Sequence, residues 1–242
     1  METNRFGLKL VVGRVLATGA VAIALLIGIA NTAAAEDWAQ FQKDQIRSGM
    51  TSDSAPTVSP AVAWRSFTVY WSTHGIDVTP IVVNDKVIVI DCREKVWAFD
   101  IHSGAEIWSV QLTEGGRYTL GTPAAGEGKI FCATDSGYIY ALDEFTGNIL
   151  WSGRLTSGVN QEEELNTQVT YADGRVYVGS WEGIYYCLDA GGNGSSPHVD
   201  WAYDVSGTRY DWYSAAAVIG DFVLFGNTAG VVACLNKATG AL

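Results

Sequence analysis

The sequence predicts an all-β chain: a β-propeller of four-stranded antiparallel blades. Three observations predict it. First, "KVWAFDIHSGAEIW" (Lys95 to Trp108) recurs forty-three residues later as "YIYALDEFTGNILW" (Tyr138 to Trp151), the mark of one supersecondary unit used again. Second, the 242 residues are 48% hydrophobic and 12% aromatic but only 17% charged, with 27 Gly, which suits short strands and tight turns better than solvated helices. Third, four two-residue turn signals share one frame: Asn84-Asp85, Glu127-Gly128, Asp173-Gly174 and Gly220-Asp221.

In chain order, residues 1–35 come first. Arg5, Lys9 and Arg14 precede the apolar run "VLATGAVAIALLIGIA" (Val15 to Ala30), and Ala33 to Ala35 supply small residues before Glu36. Basic segment, apolar core and small-residue site in that order predict a secretory signal. An uncleaved membrane anchor is the alternative, because the run lies near the lower length limit for a span. Residues 36–60 form a lead-in segment, and 61–242 the repeat region. "AVAWRSFTVYW" (Ala61 to Trp71) reads as the outer strand of an earlier blade.

Each turn signal is followed by an apolar, β-rich stretch: "KVIVI", "KIFCA", "RVYVG" and "FVLFG". A second turn follows ("DCREK", "TDSGY", "SWEGI", "NTAGV"), then a strand closing on "VWAFD", "IYALD", "YYCLD" or "VACLN". Asp100-x-x-Ser103-Gly104, Asp143-x-x-Thr146-Gly147 and Asn236-x-x-Thr239-Gly240 then read as hairpin devices. The Asp or Asn accepts backbone N–H bonds two and three residues on, and Gly takes the left-handed conformation. Trp108 and Trp151 hold one place in the fourth strands, where a large aromatic acts as a wedge between neighbouring sheets, worth about 3 kcal/mol or more. The third unit departs: "AGGNGSSPHVDW" after Asp189 predicts a longer hairpin that delays Trp201, its Gly/Ser-rich insertion a surface loop with a formal glycosylation sequon at Asn193. Four repeated units of this kind describe propeller blades. The last unit contains no fourth strand or Trp, so about four blades are expected, as part of a seven- or eight-bladed ring. A four-bladed ring closed by Ala61–Trp71 is the alternative.

Cys187 and Cys234 fall in the slot of Ala98 and Ala141, and Cys132 in that of Val89 and Val178, which reads as small core residues. Free thiols and two disulfides both stay open, with no pairing deducible.

The pattern Asp100/Gly104/Trp108 and Asp143/Gly147/Trp151, with the partial match Asn236/Gly240, resembles the pyrroloquinoline-quinone-type repeat propellers. "DWAQFQKDQIRSGM" (Asp37 to Met50) is similar to the segment that begins many exported members. The resemblance implies the fold. It also implies two functional alternatives: a non-catalytic scaffold that binds proteins at the cell envelope, or a quinone-dependent oxidoreductase using PQQ with calcium. A quinoprotein dehydrogenase of this family carries adjacent cysteines over the cofactor, and no Cys-Cys occurs here. The reading is therefore a scaffold with no cofactor, exported to the periplasm, cell surface or exterior, and anchored to a membrane only through residues 1–35 if they are retained.

Formal charge is −11, and removal of residues 1–35, with three basic residues and one acidic, leaves the chain more acidic still. No Lys/Arg run follows residue 14, so a nucleic-acid partner is excluded from the reading. His74, His102 and His198 show no metal-ligand spacing, and no catalytic motif is present. Propellers bind on the loops leading into the innermost strands. Those loops offer His74, Asp77, Arg117, Tyr118, Glu163, Asn166, Arg209, Tyr210, Asp211 and Trp212 as candidate contacts. Their mix of charge and aromatic rings suits an envelope protein or a saccharide.

Overall fold

A computed structural model describes residues 36–53, 61–66, 75–112, 121–156, 165, 167–204 and 214–242. The signal or anchor segment lies outside them. The described elements are fifteen strands in four antiparallel sheets. Blade one is β1 (Ile81–Val83), β2 (Lys86–Ile90), β3 (Lys95–Asp100) and β4 (Glu106–Gln111). Blade two is β5 (Ala124–Gly126), β6 (Lys129–Ala133), β7 (Tyr138–Asp143) and β8 (Ile149–Arg154). Blade three is β9 (Thr170–Ala172), β10 (Arg175–Gly179), β11 (Ile184–Asn193) and β12 (Ser196–Asp204). Blade four has three strands: β13 (Ala217–Ile219), β14 (Phe222–Gly226) and β15 (Val232–Asn236).

The turn chemistry explains the register. Asn84 and Asp85 both have positive φ, as do Glu127 with Gly128 and Asp173 with Gly174, so each inner hairpin twists in the sense its strands require. In blade four only Gly220 is positive, the mirror turn of the other kind. At the outer hairpins, Asp100 accepts bonds from the His102 and Ser103 N–H groups and the Ser103 hydroxyl, and Asp143 and Asn236 repeat the pattern. These donors hold the Asp100 and Asp143 carboxyls below the usual carboxylate range.

The third unit corrects one expectation. Its insertion is no loose loop: β11 and β12 lengthen into one hairpin that pairs out to Asn193 and Ser196. Its tip returns over blade two, where the Ser152 N–H donates to the Ser195 carbonyl at 3.1 Å. Gly192 takes the left-handed place that Gly104 and Gly147 hold elsewhere.

Cores form between consecutive blades. Ile88, Val96, Ala98 and Trp108 of blade one pack with Ile130, Cys132, Tyr140 and Leu142 of blade two, and equivalent residues build the next two interfaces. None of the four cysteines is joined in a disulfide; Cys92, Cys132 and Cys187 are buried. Cys234 is exposed, contrary to its reading as a core residue, because no described sheet covers that face of blade four. Residues 61–66 carry no strand, another departure, although Trp64 docks on blade one as an outer-strand Trp would. The rest of Ala61–Trp71 lies outside the described residues.

Candidate functional site

Strand alternation puts the loops leading into β1, β5, β9 and β13 at the same end as the hairpins joining β2 to β3, β6 to β7, β10 to β11 and β14 to β15. Contacts tie the two sets together: the Cys92 N–H donates to the Gly75 carbonyl, and Leu165 N–H to the Thr134 carbonyl. Of the candidate contacts, Asp77 is described and is exposed on this end. His74, Arg117, Tyr118, Glu163, Asn166, Arg209, Tyr210, Asp211 and Trp212 lie outside the described residues.

At the same end stands a group that pattern reading missed. Glu94 is fully buried at φ +60°, in the turn where the other blades place left-handed Gly137, Gly183 and Gly230. Its carboxylate accepts the Asp135 N–H of the next blade at 3.0 Å, with the Ser136 hydroxyl at 3.5 Å. Burial, with the Asp135 carboxyl beside it, pushes Glu94 up to about 9. The signal was legible: a Glu in a column of glycines. A side chain in that conformation carries backbone strain that surrounding contacts must offset.

The axial side is built by the lead-in segment. A strand edge with unpaired backbone groups must be covered, and here one segment covers all four inner strands in turn. Trp38 exchanges two backbone bonds with Val82 on β1, and the Ala39 carbonyl accepts from Ala125 on β5. The Gln40 side chain bonds both the N–H and the carbonyl of Tyr171 on β9, and the Gln45 carbonyl accepts from Val218 on β13. Val82, Ala125, Tyr171 and Val218 are one repeat position, paired to Val87, Ile130, Val176 and Val223.

Arg47 fixes the far end of this strap. Its guanidinium donates to the Ala216 carbonyl at 2.8 Å, to the Phe41 carbonyl and to the Thr170 hydroxyl. Burial lowers its pKa to about 10, so it remains charged at neutral pH. Asp44 closes the preceding turn on the Ser48 N–H and hydroxyl. Glu36, pulled to about 2 by Lys43 and the Ser52 and Thr51 donors, ties the start of the strap to residues 51–52.

At the opposite end, Lys86 of blade one meets Glu144 of blade two at 3.0 Å, both almost fully buried, and Asn84 donates to the same carboxylate oxygen. Blade three repeats the bridge with reversed polarity through Asp173 and Lys237. Among the described residues no group of three His, Cys, Asp or Glu is placed to hold a metal ion, and no helix is long and apolar enough to cross a membrane.

Residues 93–242 match the family model described as outer membrane protein assembly factor BamB. The BamB of Shewanella oneidensis is 30% identical over 205 residues, 76% of this chain and 47% of that protein. The crystal structure of BamB from Moraxella catarrhalis superposes with a TM-score of 0.55 at 23% identity, over 67% of this chain and 49% of that one. Quinohemoprotein alcohol dehydrogenase from Comamonas testosteroni superposes with a TM-score of 0.64 at 16% identity, over 85% and 40%. The first curated relatives are covered over 27% to 47% of their own length.

Proposed function

Because the chain belongs to the family of PQQ-like repeat β-propellers whose model describes BamB, we propose that it is a non-catalytic scaffold that binds proteins during assembly at the cell envelope. The observation that carries this reading is the strap. Trp38, Ala39, Gln40, Gln45 and Arg47 occupy the axial edges of all four inner strands, which makes the axis a structural core. What the fold leaves for recognition is the loop end that carries Asp77 and, buried beneath it, Glu94. Asp77 is exposed there, and the acidic and aromatic residues that the sequence offers in these loops suit contact with a protein partner.

The proposal includes no quinone and no calcium. This follows the sequence, which has no adjacent cysteines to stack on a quinone. The quinone-dependent oxidoreductase is the alternative, supported by likeness of fold and of part of the sequence to quinoprotein dehydrogenases. Export to the periplasmic side is part of the proposal, supported by the basic and apolar order of residues 1–30.

A photo-crosslinking residue at position 77 tests the site in intact cells, with position 102 at the opposite end as the control. The proposal expects adducts with outer membrane assembly proteins from position 77 and not from 102. Equal labelling from both positions, or none from 77, contradicts it.

A further inference from the structure

The hairpin between the second and third strands is one turn used in every blade, closed by the same backbone bond. The Glu94 N–H donates to the Asp91 carbonyl, Gly137 to Thr134, Gly183 to Ser180 and Gly230 to Asn227. Gly137, Gly183 and Gly230 hold its left-handed position at φ +80°, +85° and +82°, and blade one places Glu94 there at +60°. Glycine makes this turn without strain, so the backbone does not call for a side chain. What the side chain adds is a carboxyl sealed between blades one and two.

The loops of this end converge on that turn. Its Cys92 N–H holds the Gly75 carbonyl in the loop into β1, which carries Asp77, and its Glu94 carbonyl holds the Leu112 N–H at the start of the loop into β5. The Tyr140 hydroxyl donates to the Leu112 carbonyl at 3.1 Å. The Glu94 carboxyl grips the neighbouring turn at the Asp135 N–H and Ser136 hydroxyl, and the Thr134 carbonyl of that turn accepts from Leu165 in the loop into β9. Among the described residues, the groups facing Glu94 from blade two are the Asp135 carboxyl, hydrogen-bonded to it, and Tyr140, pushed up to about 12 by burial and by Glu94 itself. Behind Tyr140 stand Tyr138 and, 5.9 Å over its ring, the Arg154 guanidinium. On the turn itself, Asp91 accepts from the Arg93 and Lys95 N–H groups and the Trp97 indole, the Lys95 ammonium lies 3.9 Å over the Trp97 ring, and Arg93 is exposed. Two carboxyls in contact inside a joint repel if both ionise, so Glu94 keeps a proton and shares it with Asp135.

We propose that Glu94 is a proton-operated clasp for the loop end: protonated, it ties the turns of blades one and two and holds the loops at Gly75, Leu112 and Leu165; ionised, it lets them part. A buried carboxylate regains water only when its turn opens, and opening breaks the Cys92–Gly75 and Glu94–Leu112 bonds with it. The consequence for partner binding rests on the reading of this end as the recognition surface. The clasp itself rests on the turn.

Cys92 reports the clasp directly, because it is 5% exposed and sits in the same turn, while Cys187, 0% exposed in blade three, reports opening of the chain as a whole. The purified chain is labelled with a thiol reagent across a pH series, and each cysteine is followed by peptide mass spectrometry. Glu94→Gln, which keeps the shape but cannot ionise, is labelled in parallel; dividing the two rates at each pH removes the thiol's own ionisation. One proton is lost per opening, so the ratio at Cys92 should climb about tenfold per pH unit and level off near pH 9, with Cys92 faster than Cys187 throughout. Glu94→Gly, the residue of the other blades, should lack the climb just as Glu94→Gln does. A ratio at Cys92 that stays flat with pH overturns the proposal. Equal labelling of Cys92 and Cys187 overturns it too, since the opening would then be chain-wide. Neither result bears on the adducts expected from position 77, so the clasp and the scaffold reading fail separately.

Discussion

Trp108 of blade one and Gly147 of blade two are a matched pair: a Cβ on Gly147 would lie 2.7 Å from the indole ring, and the indole N–H donates to the Glu144 carbonyl at 3.0 Å. Trp64 with Gly104, Trp151 with Gly192 and Trp201 with Gly240 repeat it. The hairpin glycine therefore serves twice, through its positive φ and through the floor it leaves for the ring of the preceding blade.

Trp108→Ala and Trp151→Ala should each cost about 3–5 kcal/mol in denaturant melts, since each removes a buried wedge from a close-packed interface. Gly147→Ala should cost about 1–3 kcal/mol through the left-handed backbone alone, and more through displacement of Trp108. A silent change at either Trp would show that the wedge is not holding the blades.

Lys86→Ala or Glu144→Ala should destabilise by about 3–5 kcal/mol, because each strands a buried charge between blades one and two. Replacing both partners, Lys86→Met with Glu144→Leu, should cost less than either single change. A double variant as weak as the sum of the singles would contradict this account of the pair.

Glu94 sets a pH dependence of definite sign. Its folded pKa is raised from 4.5 to about 9, so in that window the folded chain holds a proton that the unfolded chain has lost. Stability from this group is complete below about pH 4.5 and declines as pH rises toward 9. Glu94→Gln should remove that decline and stabilise the chain at neutral pH, read as the difference between the two melting profiles against pH. Parallel profiles would mean that Glu94 keeps an ordinary pKa.

The four repeated units, their strand order and the Trp column were legible in the sequence because they rest on local rules: turn chemistry, strand alternation and a fixed repeat. The strap was not, since Trp38, Gln40 and Gln45 reach partners far along the chain, and no periodicity encodes which inner strand each one meets. The longer hairpin of the third unit was legible, but its insertion read as a surface loop because Gly and Ser usually mark loops, whereas here it pairs out to Asn193 and Ser196 and its tip gains a partner in Ser152. Cys234 was placed in the right column, but its exposure depends on whether a neighbour follows, which the column alone does not say.

The most direct test of the scaffold reading is titration of the purified chain with pyrroloquinoline quinone and calcium, followed by absorbance and by substrate-dependent dye reduction. With the axial edges of β1, β5, β9 and β13 already held by Trp38 to Arg47, the account predicts no saturable change in the quinone spectrum and no reduction of dye. Stoichiometric binding accompanied by turnover of an alcohol would contradict it.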